Sequence, residues 1–151
     1  MPGLKEKLME ELKEAMKSGN ADRVSVIRML RATIKNREID RGKGSELNDA
    51  DVTEVLISAV KQRRDSIEQF AKGNRQDLVD QEKKELEILQ SFLPQAMPEE
   101  ELRALVKKVI AETGAAGIRD MGKVMKSLMP LILGRADNSF VSQLVKEALN
   151  R

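Results

Sequence analysis

The apolar residues of this chain recur at three- and four-residue intervals in one segment after another, and the segments are separated by Gly, Asn or Pro. That spacing lines one face of a helix, whereas a half-buried strand needs alternation at every second residue. No segment alternates convincingly, so strands are not expected. Leu4, Leu8, Leu12, Ala15 and Met16 predict a first helix to Ser18, ended by Gly19. Val24, Ile27, Leu30 and Ile34 predict a second, capped by Asn20 and running to Arg41. Leu47, Asn48 and Asp51 have the order of a hydrophobic staple, an N-cap and a capping acid before a third helix that reaches Lys72. Gly73-Asn74 breaks it, and Asn74 is expected to cap a fourth helix bearing Leu78, Val79, Leu86, Leu89 and Leu93.

Pro94 and Pro98 cannot both sit inside one helix. They mark the expected boundary between an N-terminal bundle of about four helices, residues 1–94, and a smaller three-helix domain, residues 97–151. The expected fold class is all-α. Pro98 suits a first helical position, and Glu99, Glu100 and Glu101 after it suit the positive end of the helix dipole. Further on, Asp120 and Asp137 are the expected caps of two short helices. The first places Met121, Val124, Met125 and Leu128 on one face and Lys123 and Lys126 on the other. The second carries Phe140, Val141, Leu144, Val145 and Ala148 as its stripe. Gly134 suits a left-handed C′ position, and Pro130 predicts a kink or break because its ring clashes with the carbonyl of Lys126.

The chain has no Cys and no His. Disulfides, thiolate or imidazole metal sites and His-based catalysis are excluded. Ser127 beside Lys123 or Lys126 is a conceivable Ser–Lys pair, but no pocket is indicated around it. Asp49, Asp51 and the three glutamates after Pro98 are accounted for as helix caps and dipole partners. There is no calcium loop and no glycine-rich phosphate loop. No catalytic residue, metal or cofactor is therefore assigned. Residues 4–8 are amphipathic and charged rather than leader-like, and no apolar run approaches the roughly 20 residues of a membrane span. A cytoplasmic location and no membrane partner are expected.

The formal net charge of +2 hides blocks of either sign. Residues 23–43 and 103–135 each hold seven basic and two acidic residues, while residues 44–58 hold four acids and no base. Gly122 falls in the first turn of its helix beside Lys123, with Lys126 one turn on and Arg135 in the following turn. A helix start with a glycine and a lysine suits a phosphate. Arg28, Arg31 and Lys35 form a second wedge, about 60° wide, beside a buried stripe. The alternative for the first group is a terminus already capped by Asp120 with lysines that solvate the outer face, and for Arg28, Arg31 and Lys35 a solvated face or pairing with acids such as Glu54 or Asp80. Lys61, Arg63 and Arg64 have the same two readings. Phe70, Phe92 and Phe140, the only aromatics, all fall at apolar-stripe positions. A reader of folded RNA by shape and phosphate therefore fits better than a single-strand reader that stacks bases. Met121, Met125 and Met129 line either a groove for a partner helix or a core.

Met121-Gly122-Lys123-Val124-Met125 followed by Gly134-Arg135-Ala136-Asp137 resembles the C-terminal signature of the GatB/YqeY family. The resemblance extends to residues 23–30 and 61–66, to Glu85-Leu86-Glu87-Ile88-Leu89 and to Phe92-Leu93-Pro94, and is nearest to the free-standing YqeY-like proteins. It implies kinship with the tRNA-binding tail of the B subunit of the tRNA-dependent amidotransferase. That enzyme converts Glu-tRNA(Gln) or Asp-tRNA(Asn) to the amide, as a carbon–nitrogen ligase with glutamine as amido-N donor. The subunit's kinase-like catalytic domain is absent from these residues, so independent activity is not expected. What the resemblance implies is a tRNA-binding module. Lys123, Lys126, Arg135 and Gly122 are its first candidate contacts, and Arg28, Arg31 and Lys35 its second. The rival is a helical adaptor for a synthetase or amidotransferase subunit, using the methionine face or the acidic block.

Overall fold

A computed structural model describes residues 3–150. Among the described residues there are seven α-helices, one 3₁₀ turn and no strand, so the protein is all-α. The helices are α1 (Leu4–Ser18), α2 (Ala21–Arg41), α3 (Asp49–Lys72), α4 (Gln76–Ser91), α5 (Glu99–Thr113), α6 (Met121–Ile132) and α7 (Asn138–Leu149); the 3₁₀ turn, Ile118–Asp120, leads into α6. They form two compact units that divide between Leu93 and Pro94. The first gathers Leu8, Leu12, Ile27, Leu30, Leu56, Leu89 and Phe92 into one core; the second gathers Leu102, Val106, Val124, Leu128, Ile132, Val141 and Val145 into another. Both cores are almost wholly aliphatic, as three aromatics in 151 residues require.

Side-chain caps and two ionised carboxylates define the ends of the first helices. Asn20 Oδ1 accepts from the Arg23 N–H at 3.1 Å and starts α2. Asn48 Oδ1 accepts from the Asp51 N–H at 2.9 Å, while Asp51 Oδ2 accepts from the Asn48 N–H at 3.1 Å. That reciprocal capping box starts α3. Asp51 also receives both terminal nitrogens of Arg41, at 3.0 and 3.1 Å, which ties the end of α2 to the start of α3. Glu38 accepts from Lys5 Nζ at 2.6 Å and from the Leu47 N–H at 2.8 Å, joining α1, α2 and the loop between α2 and α3. The Lys5 hydrogen bond, then the Leu47 N–H, holds the Glu38 carboxyl below the usual range. Arg41, then the Asn48 N–H, does the same for Asp51.

Several local expectations are corrected. Asn74 does not cap α4. It takes the left-handed conformation, φ 57°, as Asn can, and Arg75 stands at the cap position with no side-chain capping bond. Pro98 lies one residue ahead of α5 rather than inside it. Asp137 occupies the cap position of α7, but its side chain makes no capping bond. Met16 and Phe140, placed on buried stripes by spacing, are 55% and 37% exposed. Each lies at an edge of its stripe that no neighbouring helix covers. The break expected at Pro130 does not fall at that residue: helix α6 continues through it and ends two residues later at Ile132. So near the C-terminus the missing N–H deprives the helix of one bond only, and Pro130 itself is exposed.

Asn48→Ala is expected to lower stability by about 1 kcal/mol, read as a lower urea midpoint with an unchanged slope. Because Glu38 has a depressed folded-state pKa, its share of stability is full above the ordinary carboxylate range and is lost as pH falls through the depressed value. Glu38→Gln should therefore lower the melting temperature clearly at pH 7 and by less at an acidic pH below the ordinary carboxylate range. An equal drop at both pH values would count against an ionic role for Glu38.

Candidate nucleic-acid interface

Helix α6 is short, and its orientation is set by burial. Val124, Leu128 and Ile132 are completely buried against the core of the second unit, where Met121 and Met125 also pack. At about 100° per residue, the side opposite this seam carries Gly122, Lys123, Lys126 and Ser127. All four are exposed. No acid occurs within Met121–Ile132. The ion pairs of the second unit, among the described residues, join Arg103 to Glu99 and Glu147 and Arg135 to Glu101. None reaches Lys123 or Lys126. The outer face of α6 is thus positive and has no carboxylate of its own helix to neutralise it.

The start of α6 differs from its expected form. Asp120 does not cap it; Asp120 Oδ2 instead accepts from the Ala116 N–H at 2.9 Å and closes the loop before the 3₁₀ turn. The Asp120 N–H donates to the Gly117 carbonyl at 2.9 Å, and the Met121 N–H donates to Ile118. Helical bonding therefore begins upstream, and Gly122 does not stand at an open helix end. The glycine has another property. A Cβ built at Gly122 meets no atom within 4 Å. The second unit gains no packing from the missing side chain there, yet a glycine inside a helix lowers stability by about 1 kcal/mol relative to alanine.

Arg135 is held within its own unit. Its Nε donates to the Gln95 carbonyl at 3.2 Å, and its carbonyl accepts from the Met97 N–H at 2.8 Å. Its Nη2 lies 4.0 Å from Glu101. The turn that carries it uses Gly134 at φ 75°, a conformation that a side chain would oppose. Arg135 therefore fastens residues 95–97 to the turn after α6. An open groove of about 380 Å³ lies beside it, lined among others by Leu105, Lys108, Leu131 and Arg135. Lys108 comes from α5 and was not singled out by sequence pattern. It was visible only as one more charge in the basic block of residues 103–135.

The other candidates fall apart into three groups. Arg28, Arg31 and Lys35 are exposed on α2 and pair with neither Glu54 nor Asp80 nor any other described acid. Arg63 has intramolecular partners: Glu82 at 3.4 Å and Met29 Sδ at 3.1 Å. Glu85 Oε2 is also 3.4 Å from its Nε, which makes an ion pair by distance without a directed hydrogen bond. Met121, Met125 and Met129 line neither of the two open grooves. Met121 and Met125 pack on the core, and Met129 is half-buried. Among the described residues, no group of three or more acids could hold a metal, and no helix is long and apolar enough to cross a membrane.

The family model described as Yqey-like protein matches residues 5–149. The chain belongs to the YqeY-like family. It is 38% identical over 107 residues to the altered inheritance of mitochondria protein 41, mitochondrial, of Lachancea thermotolerans, covering 70% of this chain and 57% of that protein. The protein of the same name from Kluyveromyces lactis is 40% identical over 96 residues, 62% of this chain and 51% of that protein. That of Pyrenophora tritici-repentis is 32% identical over 146 residues, 95% and 79%. This chain thus spans little more than half of the first two relatives. Their shared name speaks of mitochondria, not of tRNA or amide transfer. It overturns the expectation of a cytoplasmic protein. The physical reason is that a compartment is addressed by a targeting segment read by receptors, while a Cys-free helical composition carries no address.

Two substitutions separate the roles described here. Gly122→Ala is expected to raise unfolding stability by about 1 kcal/mol, measured by urea denaturation. Arg135→Ala is expected to lower stability, because the Gln95 carbonyl loses its guanidinium donor.

Proposed function

We propose that this YqeY-like protein is a tRNA-binding module and that the outer face of α6 meets the tRNA backbone. The observation that carries this reading is an exposed helix face with two unpaired lysines, Lys123 and Lys126, on a helix with no acid. Such a face attracts a polyanion without first breaking an internal ion pair. Gly122 supports it. Bare backbone beside the lysines lets a phosphate or ribose approach closely, which explains a helical glycine that packing does not. Lys108, which has no ion-pair partner, adds a positive charge at the groove beside α5, where Arg135 is paired with Glu101. The resemblance to the tail of the amidotransferase B subunit supplies the class of RNA. The chemistry of transamidation belongs in this reading to an amidotransferase subunit, and the present chain contributes RNA recognition.

The test is binding of total deacylated tRNA across a salt titration. Each lysine that neutralises a phosphate releases counterions, so Lys123→Ala/Lys126→Ala should flatten the salt slope by about two units. Gly122→Ala should weaken binding while the fold becomes more stable. No binding by wild type at low salt would sink the proposal. Arg135→Ala that leaves the slope unchanged would confine Arg135 to its structural role.

A further inference from the structure

The first unit carries a different surface, along α2. Val24, Arg28, Arg31, Lys35 and Ile39 follow one another at intervals of four, three, four and four residues. They therefore run along one side of the helix for about 22 Å. Arg28, Arg31 and Lys35 in the middle are exposed and pair with no described acid. Other cations of the unit are unpaired too, Lys7, Lys13 and Lys61 among them, so what marks these three is their succession along one helix side between exposed apolar residues. The ends of the stripe are apolar. Ile39 is 64% exposed at one end, and Met16 of α1 is 55% exposed at the other. Met16, Ala21, Arg28 and Val24, which is partly buried against the core, line an open groove of about 450 Å³ between the end of α1 and the start of α2, where Ala15 is buried.

We propose that this stripe is the docking site for an acidic amphipathic helix of another protein. A straight track with three- and four-residue spacing matches the side-chain rows of a facing helix. Three consecutive unpaired cations call for a row of carboxylates opposite them. The exposed apolar residues at both ends call for aliphatic side chains, one entering the groove beside Met16 and one covering Ile39. Nucleic acid fits less well. Phosphates would pair with the cations but would leave Met16 and Ile39 exposed, and the stripe has no aromatic ring on which a base could stack. The site lies on a different unit from α6, so it stands or falls independently of the tRNA reading.

The probe is a synthetic peptide of about 18 residues, enough helix to cover the stripe. It carries glutamates at four- and three-residue spacing in the middle, Leu at both ends and Ala elsewhere. Binding to the full chain is followed by fluorescence anisotropy, and circular dichroism melts check that each variant folds. Wild type should bind saturably, and Arg31→Glu/Lys35→Glu should weaken binding by about tenfold or more. A lysine-bearing version of the peptide should recover binding to that variant. Met16→Ser/Ile39→Ser should also weaken binding of the original peptide, which a purely ionic attraction would not do. The proposal is overturned if wild type fails to bind the peptide, or if either double variant binds it as wild type does. It is equally overturned if an RNA duplex or phosphatidylserine vesicles lose binding on charge reversal while the peptide does not.

Discussion

The burial of Val124, Leu128 and Ile132 is the contact on which the candidate interface depends. A 12-residue helix such as α6 is marginal in water by itself, and it persists because its apolar seam is removed from solvent. The same burial sets its rotation. Once those three side chains are inside, Gly122, Lys123 and Lys126 have nowhere to be but outside. Pro130 and the helical glycine, both unfavourable locally, are tolerated because the seam holds the helix in place.

Charge is used in two ways. Where a carboxylate is bonded by both a cation and a backbone N–H, as at Glu38 and Asp51, it fixes a helix end or a loop. Arg63 between Glu82 and Glu85, and Arg135 over the Gln95 carbonyl, do comparable internal work. Lys123 and Lys126 on α6 and the three cations on α2 stand apart from this pattern. Exposed ion pairs contribute little stability each, so leaving these residues unpaired costs the fold little and leaves their charge available. The two surfaces differ in their surroundings. The α6 face is bare backbone and lysine, suited to a phosphate chain. The α2 stripe ends in exposed aliphatic side chains, suited to another protein.

Much of the helical layout was legible because caps and stripes are local. Asn20, and Asn48 with Asp51, sit within three residues of the N–H groups they satisfy, so short sequence spacing revealed them. Asp120 and Asn74 were misread for the complementary reason. Each had a competing local geometry, a loop-closing bond to Ala116 or a left-handed turn, and residue type alone does not rank the options. Met16 and Phe140 had the spacing of core residues but lie where no neighbouring helix reaches. Arg135 matched a family motif whose chemistry says nothing about Gln95, 40 residues away. Lys108 had no motif at all and joined the groove only because α5 packs against α6.

By itself the amino-acid sequence determined the all-α class, the faces of the helices and most of their ends, because a 3.6-residue period and a cap are properties of neighbours along the chain. The exclusion of Cys and His chemistry was equally a matter of composition. Only the tertiary structure decided which charges are paired and which are free. An ion pair depends on whether the fold brings two groups within about 4 Å, and pairs such as Lys5–Glu38 and Arg23–Glu11 join different helices.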